Sequence, residues 1–339
     1  MIVPVFLPHI GCGERCIYCN QDIITNNPGD MRVETRIAQS LASVEGPVEA
    51  ALYGGNILGL GSTDLAGLLG LFEPYRHKIS RMRISAKPGP VSARTIAVLK
   101  EHGVRVIELG IPTVNDAILR LLGRGHTARD FFDTFKVLVD EGFELGMQVM
   151  VGLPGETFAD LQETVCAMIT LAPCFVRIYP LVVIEDTRLF ERFMKGAYSP
   201  DSLDTAVAKA CFVYVSAWSH GIRTIKMGLT ENEVIKEKIA SGPYHPAFGY
   251  LVKSEAFYLA VLRVCEEMEA RGNVAVSLSA SDVPHLIGNR CTNLDRLREK
   301  GISIEWTADP ALSKGFFRVR GKGKKAEGSL VDGLAMIPS

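Results

Sequence analysis

The sequence carries almost no net charge, −1 over 339 residues. That balance argues against both a basic coat for nucleic acid and a disordered acidic chain. No apolar run reaches the length of a membrane span, and the N-terminus lacks the basic-then-apolar pattern of a secretory signal. No internal repeat is evident. These absences lead to the expectation of a soluble, cytoplasmic protein with no membrane partner. Its length suits one large domain with a smaller second unit. In a reducing compartment, clustered cysteines more often bind metal or do redox chemistry than form disulfides.

Against that plain background stands the stretch "GCGERCIYCNQ", with Cys12, Cys16 and Cys19 in a C-x3-C-x2-C spacing. The loop follows the apolar run "IVPVFLP" and is made polar by Glu14, Arg15 and Asn20. Three thiolates are one ligand short of a tetrahedral structural zinc site, and no second C-x2-C arm is present. A [4Fe–4S] cluster held by three cysteines instead leaves one iron open to a small-molecule ligand. The other five cysteines, Cys166, Cys174, Cys211, Cys265 and Cys291, lack tight spacing and read as buried apolar thiols.

Six strand-like runs, at 2–8, 48–55, 81–86, 104–110, 145–152 and 175–183, alternate with amphipathic helical stretches such as 92–103 and 157–172. The strands read as apolar and nearly unalternating. This predicts a parallel sheet covered by helices, an α/β partial barrel of (β/α)6 type, short of the eight units of a closed one. Every strand meets an unusual segment at its C-terminal end: the cysteine loop, Gly54-Gly55-Asn56, Lys87-Pro88-Gly89, Pro112-Thr113, Gly152 to Gly155, and Tyr179-Pro180 after Arg177. In β/α barrels the active site collects at that rim.

The domain boundaries read as a barrel over 1–226, a linker and capping helix over 227–272, a small α+β domain over 273–321 and a disordered tail over 322–339. Residues 283–306 resemble a KH-type RNA-binding segment: a helix, a turn and a second helix before a strand. The turn is Gly288-Asn289-Arg290-Cys291, with Cys in place of the second glycine of G-x-x-G. Arg290, Arg296, Arg298 and the lysines of "RGKGKK" add positive charge nearby. The alternative is a generic α+β domain packed on the barrel.

Cys12, Cys16, Tyr18 and Cys19 after a first strand resemble the cluster motif of the radical S-adenosylmethionine (radical SAM) enzymes, and Gly54-Gly55 resembles their glycine motif. Glu108-Leu109-Gly110, Arg124 to Thr127 and Gly152 to Thr157 are similar to the radical SAM portion of the Elongator subunit 3 (Elp3-like) family over roughly residues 1–250. Asn56, Lys87-Pro88-Gly89 and Pro112-Thr113 depart from that family's text. Its acetyltransferase domain is not expected here, and neither is acetyl-coenzyme A.

The resemblance implies a [4Fe–4S] cluster on Cys12, Cys16 and Cys19, with S-adenosylmethionine (SAM) on the fourth iron. Tyr18, Gly54, Gly55, Asn56, Ser85, Lys87, Gln148 and Arg177 are the implied SAM-binding residues. Asn56 offers an acceptor to the ammonium, and Lys87 a point charge to the carboxylate. Lys87, Gln148 and Arg177 are the candidate catalytic residues, with Gln148 and Arg177 aimed into the barrel. Ion pairing for Arg177, structural hydrogen bonding for Glu108 and Gln148, and a satisfied loop role for His126 are the competing readings. The implied activity is SAM cleavage to a 5′-deoxyadenosyl radical, with RNA, tRNA foremost, as substrate and a flavodoxin or ferredoxin as electron donor. The alternatives are a small-molecule or peptide substrate, or a non-catalytic iron–sulfur or RNA-binding protein.

Overall fold

A computed structural model describes residues 1–26, 31–230 and 232–337. Seven strands form one parallel sheet in chain order: β1 (Ile2–Phe6), β2 (Val48–Tyr53), β3 (Ile79–Ala86), β4 (Val104–Gly110), β5 (Glu144–Val151), β6 (Phe175–Pro180) and β7 (Arg223–Met227). The partial barrel expected from sequence is present, with seven strands rather than six. "RTIKM" escaped notice because β7 is a half-exposed edge strand whose charges mask the apolar run that marked the others.

Local sequence sets the helices between strands. Ser92 caps Ala93–Glu101, and reciprocal capping boxes Thr127/Asp130 and Thr157/Asp160 start Ala128–Asp140 and Phe158–Leu171. The strands alternate more than their text suggested. One face of each, for example Val48, Ala50 and Leu52, is buried in the main apolar core. The other face turns Glu49, Arg83, Glu108, Gln148 and Arg177 to one another across the concave side, which we call the lumen.

The C-terminal part has its own four-stranded sheet, ordered β9-β8-β10-β11, from β8 (Gly272–Leu278), β9 (Ile302–Ala308), β10 (Phe316–Gly321) and β11 (Lys324–Ser329). Strand β8 runs parallel to β9 and antiparallel to β10. The segment expected to be a disordered tail is therefore ordered as far as Ile337; its last two residues lie outside the described residues. A turn with positive φ at Lys322 and Gly323 reverses the chain into β11, and a Ser329/Asp332 capping box starts the 3-10 turn Leu330–Met336. Basic composition hid a strand whose partners lie in β10.

The expected linker and capping helix contains Phe248–Glu267, a 20-residue helix with its apolar residues buried almost all round. One continuous core runs from Val3 and Leu52 through this helix to Val276 and Phe317, so the small sheet is fused to the barrel. Cys211 and Cys265 are buried as expected, whereas Cys166, Cys174 and Cys291 are exposed.

Candidate active site

The cysteine loop leaves β1 at the C-terminal edge of the sheet and is tied down from two neighbours. The Asn56 amide donates to the Ile10 carbonyl at 2.7 Å, and the Ile17 amide to the Leu122 carbonyl at 3.0 Å. Gly55 is glycine because a Cβ there would lie 2.5 Å from the Ile10 carbonyl oxygen, and Gly54 turns the chain with φ +89°. The glycine pair thus lets the cysteine loop pack on the end of β2.

Cys16 is buried, while Cys12 and Cys19 are half-buried. Among the described residues, no three His, Cys, Asp or Glu side chains converge as ligands of a single metal ion. Three thiols alone are one ligand short of a tetrahedral structural zinc site, and suit a cluster in which each thiolate takes a different iron. Burial raises the Cys12 thiol and pushes Cys19 up to about 12, so iron loading at neutral pH must displace protons. The Gln21 carboxamide donates to the Cys19 sulfur at 3.2 Å.

Arg124, which opens the Arg124 to Thr127 string of the resemblance, proves central. It is 7 % exposed, and its Nη1 lies 3.4 Å from both the Cys16 sulfur and the Tyr18 hydroxyl, while Nη2 donates to the Gly110 carbonyl. Burial acts to lower its pKa, but the facing Tyr18 and Cys16 hold it above the usual arginine value. Its Nε has no hydrogen-bond partner. Two residues on, His126 is not the satisfied loop histidine expected: it is 9 % exposed, and neither ring nitrogen has a well-formed hydrogen bond. Burial, with the Arg124 charge next, lowers it to about 4. The Arg124 Nε, a buried donor left unpaired on a side chain that contacts the Cys16 sulfur, fits a bound anionic group. The Arg124 to Thr127 string marked Arg124 in the sequence, but not its partner: the contact with Cys16 spans 108 positions.

The other expected residues fall into two groups. At the rim, Lys87 reaches the Glu14 and Arg124 carbonyls, at 3.4 Å each, from the end of β3. The Asn56 side-chain oxygen accepts from the Lys87 amide at 2.8 Å, and its NH2 reaches the Gly11 carbonyl. Tyr18 is held by Arg124, and Ser85 is buried opposite Glu108 in the β3–β4 register.

Deeper in the lumen, Arg177 and Gln148 are tied to Glu108. Glu108 is fully buried and accepts from Arg83 at 2.9 Å, Arg177 at 3.0 Å, Gln148 at 3.0 Å and Tyr53 at 3.0 Å. Arg177 Nε also sits 2.8 Å from Glu108 Oε2, close enough for charge attraction though off the hydrogen-bond line. The ion-pairing alternative for Arg177 thus holds, with a strand carboxylate as partner. Below this, Arg83 pairs with Glu49, which Arg81 also meets at 2.7 Å. Burial works against the Glu49 charge, but Arg83 and Arg81 keep its carboxyl below the ordinary range.

The turn Gly288 to Cys291 separates Val283–Ile287 from Thr292–Glu299. Two of its cations are already paired: Arg296 with Glu255 at 2.5 Å, and Arg298 with Asp295 at 2.6 Å. Arg296 also lies over the Tyr258 ring.

Two family models match in tandem: "Radical SAM superfamily" over residues 7–165 and "Radical_SAM C-terminal domain" over 173–257, together well over half of the chain. The chain belongs to the radical SAM superfamily. The cofactors of that superfamily, a [4Fe–4S] cluster and SAM, are therefore its cofactors. The heme chaperone HemW of Bacillus subtilis is 27% identical over 196 residues, covering 55% of this chain and 52% of that protein. A tRNA uridine(34) acetyltransferase of Methanocaldococcus infernus is 28% identical over 138 residues, covering 40% of this chain and 26% of that protein. The chain thus spans about half or less of the curated relatives it matches. The solved structure of archaeal M. infernus Elp3, lacking its N-terminal residues, shares the fold with a TM-score of 0.57 at 18% identity, over 94% of this chain and 72% of that one. No helix among the described residues is long and apolar enough to cross a membrane.

Proposed function

We propose that this radical SAM protein is an enzyme acting on RNA, with tRNA as the leading substrate. The observation that carries the chemistry is the trio Cys12, Cys16 and Cys19 at the C-terminal mouth of a parallel partial barrel, beside the buried Arg124, whose Nε is left without a partner. Cys12, Cys16 and Cys19 would hold three irons of the cluster, leaving the fourth for the amine and carboxylate of SAM. When bound, the reduced cluster supplies the electron that cleaves SAM to methionine and a 5′-deoxyadenosyl radical.

The chain's own residues do the rest. Arg124 keeps a positive charge against the Cys16 sulfur, and Gln21 donates to that of Cys19, so both hold the loop's sulfur atoms in place. Ile17 packs with Ile118, Leu122, Leu153 and Leu189 and keeps water from the back of the loop. Gly54, Gly55 and Tyr18 border the SAM site, with Asn56 fixing the Lys87 backbone so that its ammonium faces the loop. Ser85, Gln148 and Arg177 line the lumen through which a substrate atom would reach SAM, Gln148 and Arg177 held there by Glu108.

RNA is favoured by the likeness to tRNA uridine(34) acetyltransferases and by the KH-like order of the 283–306 segment. The likeness to a heme chaperone supports a second reading, in which heme is the ligand. Anaerobic reconstitution with iron and sulfide, then dithionite and SAM, tests the chemistry. We expect about four irons per chain and 5′-deoxyadenosine formation, both lost in Cys16→Ala. Iron-free protein, or an intact cluster that never cleaves SAM, overturns the enzymatic reading. Salt-dependent binding of bulk tRNA supports RNA; a stoichiometric heme absorption band without tRNA binding overturns it in favour of heme.

A further inference from the structure

Behind the cysteine loop lies a cleft of about 690 Å³ lined by Ile17, Gly123, and residues of the helices Asp116–Leu121 and Arg188–Met194 with Lys195. Its charged lining is four cations, Arg120, Arg188, Arg192 and Lys195, against the single carboxylate of Glu191. None of the four forms an ion pair among the described residues. On a chain whose overall balance is −1, such a concentration of unpaired positive charge is local.

The cleft is coupled to the cysteine loop by backbone. Its floor residue Ile17 follows Cys16 directly, and Gly123 precedes Arg124, which contacts the Cys16 sulfur. Arg188 donates to the Arg15 carbonyl, and the Leu189 amide to the Ile17 carbonyl at 2.8 Å. No side chain from the lumen faces of the strands lines the cleft. Beside it, Met194 is 66 % exposed and offers an apolar contact.

We infer that this cleft is the docking surface for the protein that reduces the cluster, a small acidic electron carrier of the flavin or iron–sulfur class. The inference rests on the cluster assignment above. One electron leaves the carrier and the cluster is reduced by one, with no proton or group transferred. This step needs a surface close to a cluster thiolate, and charge complementarity to speed encounter. The cleft supplies both: cations for an acidic partner, and a floor one residue from Cys16. RNA phosphates would also be drawn to these cations, but a substrate must deliver its reacting atom through the lumen, from which the cleft is separate. The carrier fits the position better.

The test uses holoenzyme and two reductants, photoreduced flavodoxin and dithionite, with bleaching of the cluster absorbance as the readout. In the double variant Arg120→Glu/Arg192→Glu, cluster reduction by flavodoxin should fall about tenfold at low salt. The difference from wild type should close as ionic strength rises. Reduction by dithionite and the iron content should stay unchanged. Glu191→Lys should change the flavodoxin rate in the opposite direction, which guards against a folding artefact. Unchanged flavodoxin rates in both variants overturn the inference. So does a loss of tRNA binding with flavodoxin reduction intact, which would assign the cleft to RNA. Iron-free wild-type protein would instead sink the cluster assignment, a failure read before any variant is made.

Discussion

The two sheets of this protein bury opposite kinds of surface. The C-terminal sheet turns Val274, Val276, Leu278, Phe317 and Val319 into the common core, while Arg318 pairs with Glu327 at the surface. The barrel puts apolar side chains on its helix-covered face, but on its concave face it buries Glu49, Arg83 and Glu108, with Arg177 largely covered. Apolar packing is forgiving, because hydrophobic contact has little direction. A buried ion network is not: its desolvation must be offset by good geometry at every member. The small sheet therefore contributes stability, and the lumen contributes fixed positions for polar groups. That division matches where chemistry is expected.

Near-isosteric substitutions sharpen the contrast. Glu108→Gln keeps the shape but removes the charge facing Arg83 and Arg177, so we expect a loss of about 3–5 kcal/mol. Chemical denaturation followed by circular dichroism checks it, and a loss below about 1 kcal/mol would mean that the lumen is hydrated and tolerant. Glu156 tests buried charge outside the lumen. It sits under the Gly152 amide, 3.6 Å from Lys209, and burial raises its carboxyl to about 7. A carboxyl whose folded pKa lies above its unfolded one stabilises fully below about 4.5 and loses that contribution as pH rises through about 7. Glu156→Gln should flatten this slope, worth on the order of 2–3 kcal/mol, in melts between those pH values. Leu278→Met, a comparable change of shape in the apolar sheet, should cost less than about 1.5 kcal/mol. Thr157→Ala, which removes a cap common to neither environment, should cost about 1 kcal/mol by the same denaturation experiment.

Much of the barrel was legible because its signals are local. Six strands, the helical stretches 92–103 and 157–172, and the cysteine loop announce themselves within windows of a few residues. The seventh strand and β11 did not, since both are polar edge segments whose pairing comes from distant neighbours. The site divides the same way. Lys87 could be assigned to the rim from its position after a strand, but the ion-pair partner of Arg177 could not be named, because Glu108 lies 69 positions away.

By itself, then, the sequence determined the chemistry on offer: three thiols in one polar loop, a glycine pair after the second strand, and alternating strands and helices that close only one way. The tertiary structure decided which groups meet. It brought Arg124 to Cys16, bound Gln148 and Arg177 to one carboxylate, and gathered four unpaired cations behind the cysteine loop. Spacing within a strand or helix follows from local backbone geometry, whereas contacts across a hundred residues exist only once the shared core has formed.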